Sequence, residues 1–96
     1  MIKRIVKLTF QPDQIDNFIK IFEESQPKIL AMPGCTHLEL WRAVGDSNVL
    51  FTYSYWEREE DLDHYRQSEF FKATWQRTKA LFEDRAEAWS VEVVSD

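Results

Sequence analysis

The sequence predicts an α+β fold with one four-stranded antiparallel sheet and its helices on one face. Three observations carry this. Four stretches alternate hydrophobic and polar residues with a period of two, two others repeat hydrophobes at helical spacing, and together they run in the order β-α-β-β-α-β. That order is the split βαβ pattern, and right-handed crossovers bring both helices to the same side. With only two glycines and three prolines in 96 residues there is no linker, so residues 1–96 form one domain.

The first strand is Ile2 to Phe10. Ile2, Val6, Leu8 and Phe10 share one face, and Lys3, Ile5, Lys7 and Thr9 the other. Pro12 suits a first helical turn, where its missing N–H costs nothing. Ile15, Phe18, Ile19 and Phe22 then recur at helical spacing, and Ile29 and Leu30 resume it. Pro27 interrupts that pattern and predicts a kink or break near Glu24 to Gln26. Pro33-Gly34 ends the helix. Thr36 to Val44 is a second strand, with Leu38 and Leu40 facing one way and His37, Glu39 and Trp41 the other.

Gly45-Asp46-Ser47-Asn48 has the composition of a hairpin turn. The third strand, Val49 to Trp56, places Val49, Phe51, Tyr53 and Tyr55 opposite Leu50, Thr52, Ser54 and Trp56. A short helix with an acidic start carries Leu62 and Tyr65. Ser68 is a candidate N-cap, with Glu69 in the first turn where the helix dipole favours it. The helix after it sets Phe71, Trp75, Thr78 and Phe82 on one stripe. Ala86 to Val94 is the last strand.

Composition removes several classes. Seventeen acidic against twelve basic side chains give a net charge of −5, which opposes binding to nucleic acid. Cys35 is the only cysteine, so no disulfide forms within the chain and a stapled secreted scaffold is excluded. No apolar run approaches the ~18 residues of a membrane span, and the first ten residues do not read as a signal peptide. The expectation is a cytoplasmic protein. Fourteen aromatics, seven Phe, four Trp and three Tyr, exceed the needs of so small a core. They line a pocket or are buried against a second copy. Several strands carry hydrophobes on both faces, which predicts a homodimer packed through the open face of the sheet.

The stretch Trp56-Glu57-Arg58-Glu59-Glu60-Asp61-Leu62, then Ser68, Phe71 and Lys72, with Pro33-Gly34-Cys35 before the second strand, resembles the antibiotic biosynthesis monooxygenase family. The resemblance implies a ferredoxin-like domain that pairs into a dimeric α/β barrel. It implies an enzyme that oxidises a small aromatic phenol or quinol with molecular oxygen and without a cofactor. In the polyketide-type members a Trp closes the third strand, with an Asn four residues before it and a Tyr six after. Here Trp56 matches the first, while Thr52 and Leu62 stand in the other two places. Arg77 corresponds to an Arg of the long helix. Haem degradation is disfavoured, because Arg4, Tyr65 and Trp75 occupy the positions of that branch's Asn, Trp and His, leaving no ligand for haem iron. In the quinol-oxidising branch the corresponding histidines are replaced by Tyr65 and Phe70, with His64 one residue away.

Cofactor-free oxygenation needs an ionised, electron-rich substrate, a group that accepts or stabilises its proton or charge, and a dry pocket. Trp56, Tyr65 and His64 are the candidate catalytic residues on this basis: a pocket wall, a hydrogen-bond donor and a base. Phe51, Tyr53, Trp75 and Arg77 are the candidate substrate contacts, and Arg42 and Arg66 are further cations able to meet an anionic group. Cys35 and His37 alternate on one strand, but no third or fourth ligand has a fitting spacing, so no metal site is expected. There is no Gly-rich phosphate loop and no G-x-S-x-G. The competing reading is a non-catalytic dimeric barrel that binds an apolar ligand.

Overall fold

The computed structural model describes residues 1–96. Strand β1 (Ile2–Thr9) leads through a 3-10 turn at Pro12–Gln14 into helix α1 (Ile15–Leu30). Strands β2 (Cys35–Arg42) and β3 (Val49–Trp56) form a hairpin. Helices α2 (Glu59–Gln67) and α3 (Glu69–Lys79) then precede β4 (Glu87–Val91). The sheet order is β2-β3-β1-β4 with every pair antiparallel, the ferredoxin-like arrangement that the element order predicts.

Alternation along the strands decides what is buried. Leu8, Phe10, Leu50 and Trp56 are each 2% exposed or less, and Phe18, Phe22 and Ile29 of α1 and Leu62 of α2 close over them. Burying each such side chain is worth about 1.5–3 kcal/mol. The hairpin turns at Gly45, whose φ of +90° is the left-handed conformation that glycine adopts without strain. Its neck is closed by the Ala43 N–H donating to the Val49 carbonyl at 2.9 Å.

The structure departs from the sequence expectations in four places. Helix α1 does not break at Pro27 but continues to Leu30. Buried Ile29 and the Gln26 side-chain amide, which donates to the Leu38 carbonyl at 2.9 Å, hold its last turns on the sheet. That packing outweighs the one backbone hydrogen bond lost to proline. Helix α3 stops at Lys79, so Phe82 is not helical; it forms a β-bridge with Phe10 instead. Strand β4 ends at Val91, because its partner β1 has only Ile2 beyond the Lys3–Val91 pair. Val93 and Val94 therefore stand 56% and 94% exposed. Finally, the β2–β3 register slips between Cys35 and His37. This bulge inverts the alternation, putting Cys35 in the core and His37 against Tyr55 on the other face. The two residues that looked like ligands on one face are separated by the sheet.

Candidate functional site

A cavity of about 310 Å³ lies between the sheet and the helices. That is the lower end of the range for small-molecule sites. Its floor is the helix-facing set of strand residues: Arg4, Val6 and Leu8 from β1, Thr52, Ser54 and Trp56 from β3, and Ala88 from β4. Phe18 and Phe22 of α1 form one wall. Tyr65 and Arg66 of α2 with Phe71, Trp75 and Thr78 of α3 form the other. Fourteen of the twenty-one lining residues are hydrophobic, and none is a histidine or a carboxylate.

The aromatic wall is continuous. Trp56 stacks on Tyr65 at 5.1 Å between ring centroids, and Tyr65 meets the edge of Phe71 at 5.1 Å. Phe71 then stacks on Trp75 at 5.9 Å, and Trp75 meets Phe82 at 5.6 Å. Phe82 contacts Phe10, Phe10 stacks on Phe18 at 4.4 Å, and Phe18 contacts Phe22. Tyr65–Phe71 and Trp75–Phe82 have the edge-on geometry that the ring quadrupole prefers. One hydroxyl fixes the bend between α2 and α3. Ser68 Oγ donates to the Tyr65 carbonyl at 2.6 Å and accepts from the Phe71 N–H at 3.1 Å. The predicted N-cap thus also sets the two rings against each other.

Of the expected site residues, the fold brings Trp56, Tyr65, Trp75 and Arg66 together on the cavity and leaves His64, Phe51, Tyr53, Arg42 and Arg77 outside it. Trp56 is 1% exposed, and its indole N–H donates to Ser54 Oγ at 3.0 Å, so its only donor is already engaged. Burial pushes the Tyr65 hydroxyl above the ordinary phenol range, with the Cys35 thiol adding to it. Tyr65 therefore stays protonated at neutral pH and can donate a hydrogen bond. His64 is exposed on α2, about 100° around the helix from its neighbour Tyr65. Arg77 pairs with Glu24 at 3.6 Å on the outer surface between α3 and α1. Phe51 and Tyr53 lie on the opposite face of the sheet, because residues of one strand alternate and Thr52, Ser54 and Trp56 take the cavity side.

Sequence reasoning missed the α1 wall of Phe18 and Phe22, which reads simply as a helical core stripe. It also missed Arg4 as a floor residue, though a signal was present: Arg4 is the single charge on the apolar face shared by Ile2, Val6 and Leu8. Its guanidinium donates to Ser90 Oγ at 2.9 Å. Burial, and secondarily the charge of Arg66, hold its affinity for its proton below the usual arginine value, with Asp63 acting the other way.

The open face carries a second, separate aromatic cluster. Trp41 stacks on Tyr53 at 4.3 Å, His37 packs on Tyr55 at 4.6 Å, and the Lys3 ammonium sits 4.6 Å above the Tyr55 ring. Glu39 accepts from the Trp41 indole at 2.7 Å and lies 3.1 Å from His37 Nε2, contacts that hold its carboxyl below the usual range. No group of three or more His, Cys, Asp or Glu side chains is arranged to hold a metal ion, and no helix is long and apolar enough to cross a membrane.

Comparison with known proteins agrees with this architecture. No curated protein matches the sequence. Among solved structures, one described as an antibiotic biosynthesis monooxygenase superimposes with a TM-score of 0.90 at 20% identity, covering 99% of this chain and 100% of that one. A conserved protein from Methanosarcina mazei Go1 gives 0.89 at 18% identity, over 94% of this chain and 89% of that one. Rv0793 from Mycobacterium tuberculosis gives 0.88 at 15% identity, over 99% and 96%. At these identities the likeness is one of fold. The model of the antibiotic biosynthesis monooxygenase family, however, matches residues 1–77 of the sequence itself, and the chain belongs to that family.

Proposed function

We propose that this protein is a cofactor-independent monooxygenase acting on a small aromatic phenol or quinol. The observation that carries the reading is the continuous aromatic wall around a cavity of about 310 Å³ between the sheet and the helices. Such a wall stacks a flat, electron-rich ring and keeps water from a radical pair formed with oxygen. A quinol oxygenated in this way loses four electrons to O₂, one oxygen atom entering the ring and the other leaving as water. Tyr65, kept protonated by burial, serves to donate a hydrogen bond to a ring oxygen or to a bound oxygen species. Trp75 provides a stacking surface, and Trp56 backs the Tyr65 ring. Family membership makes an oxygenase the first chemistry to test.

Oxygen uptake with reduced naphthoquinol, measured against a protein-free blank, is that test. Uptake above the blank with hydroxynaphthoquinone and water as products, reduced in Trp56→Phe, is the expected result. Naphthoquinone and hydrogen peroxide at the blank rate would end the proposal for this substrate class.

One observation favours the competing reading, an apolar-ligand-binding barrel without turnover. The cavity has no carboxylate or imidazole to take a proton, and His64 lies outside it. Ligand binding without oxygen consumption would establish that reading. In either case we read the protein as a cytoplasmic homodimer paired through the open sheet face, where Trp41, Trp89 and Val91 are 38%, 45% and 42% exposed. A monomer by sedimentation at micromolar concentration would remove the dimer.

A further inference from the structure

Among hydrophobic and hydroxyl-bearing side chains, the cavity lining carries two charged groups, both guanidiniums. Arg4 comes from the middle of β1 and Arg66 from the last turn of α2, and both line the cavity. They are close enough for the charge of one to disfavour that of the other. Neither has a carboxylate within 4 Å: the four ion pairs of the protein involve Lys7, His37, Arg58 and Arg77. Arg4 has a single side-chain hydrogen bond, to the neutral Ser90 hydroxyl. A half-buried arginine beside a second arginine is an unfavourable arrangement for the empty protein, since desolvation and repulsion act together. It becomes favourable when an anion lies between the two forks.

We propose that Arg4 and Arg66 anchor the carboxylate of an aromatic monoanion whose ring packs on the wall of Tyr65 and Trp75. Asp63, exposed one turn before Arg66, offsets part of the charge of the two arginines, which favours a singly charged ligand over a doubly charged one. The planar forks of guanidinium match a carboxylate in two parallel hydrogen bonds. The proposal also fits a cavity without a base: a carboxylic acid arrives already ionised at neutral pH, whereas a phenol has to be deprotonated inside. It rests on the aromatic-ligand reading above, and names the polar end of that ligand.

Isothermal titration of the protein with 1-naphthoate, the neutral 1-naphthamide and 1-naphthyl phosphate at low ionic strength tests it. We expect naphthoate to bind about tenfold or more tightly than naphthamide, the effect of one charged hydrogen-bonded pair. Arg66 is exposed, so Arg66→Gln should fold normally; in it and in Arg4→Gln the naphthoate affinity should drop about tenfold while naphthamide binding holds within about twofold. Unchanged naphthamide binding shows that the cavity is intact in each variant. Equal affinity for acid and amide, or equal losses for both in the variants, would overturn the proposal. Tighter binding of the phosphate than of the carboxylate would overturn the choice of a monoanion. If naphthoate binds selectively and oxygen uptake stays at the blank, the anchor stands and the oxygenase reading fails. If no naphthyl compound binds, both fall.

Discussion

The two faces of the sheet are built from alternate residues of the same four strands, yet they treat aromatic side chains in opposite ways. On the helix side the rings of Trp56, Tyr65, Phe71 and Trp75 are packed edge-to-face and stacked around a cavity, with the polar atoms of Trp56 and Ser54 satisfied by each other. On the open side Trp41, Tyr53, Tyr55 and His37 stack beside charged groups, Lys3 and Glu39, and remain in reach of water. A ring sealed by helices derives its stability from area removed from water, and a ring on the open side from a few local contacts until something covers it. The comparison therefore separates residues that hold the fold from residues available for association.

The largest expected difference is between two tryptophans. Trp56→Ala should lower the unfolding free energy by about 3–5 kcal/mol in urea titration, because it empties a fully buried site. Trp41→Ala should cost only about 1 kcal/mol, the worth of one aromatic pair. If the open face is a dimer interface, the cost at Trp41 will grow with protein concentration while that at Trp56 will not. Equal costs for the two at every concentration would break the comparison.

The two glycines offer a second contrast, since both have positive φ. At Gly45 a Cβ would meet nothing within 4 Å, so Gly45→Ala should cost only the backbone strain of about 1–2 kcal/mol. At Gly34 it would overlap the Asp61 side chain at the start of α2, so Gly34→Ala should cost more, about 2–3 kcal/mol. The same urea titration decides, and a smaller loss at Gly34 than at Gly45 would contradict the close packing between the β2 entrance and α2.

Alkaline pH should act mainly through the helix side. Burial raises both Cys35 and Tyr65, so each binds its proton more tightly in the folded chain than in the unfolded one. Their contribution is whole below the unfolded values, about 8.5 for a thiol and about 10 for a phenol, and is lost as pH rises from there through the folded values. The urea midpoint should fall as pH rises beyond about 9, and Tyr65→Phe should flatten the upper part of that decline. On the open side the neighbouring Tyr53 and Tyr55 hydroxyls act on each other, which lowers Tyr53 and raises Tyr55, so their effects oppose. A decline unchanged by Tyr65→Phe would assign it elsewhere. The smallest effect belongs to the exposed Lys7–Glu87 pair at 3.7 Å, where Lys7→Ala should change stability by no more than about 0.5 kcal/mol.

Much of the architecture is legible in the chain because it depends on local periodicity. Period-two alternation in β1 and β3, the 71–75–78 stripe of α3 and the Ser68 cap all hold in the structure. Their physics is confined to neighbouring residues, where sequence spacing is spatial spacing. The ends of elements were less legible. The extent of β4 depends on how much of β1 remains to pair with it, and the survival of α1 past Pro27 depends on what its last turn touches.

The candidate site divides in the same way. Which strand residues share a face follows from alternation alone, but which face the helices cover does not, and Phe51 and Tyr53, expected as substrate contacts, lie on the face away from the cavity. A single bulge at Cys35–His37 undid the pairing of those two residues, since one extra residue reverses every side chain beyond it. Element order, ferredoxin-like topology and the wealth of aromatic rings follow from composition and period, which are properties of the chain. That these rings form two separate clusters, and that Arg4 and Arg66, 62 positions apart, face one cavity, is a product of the packed fold. Proximity between distant residues is set by packing, which no local spacing records.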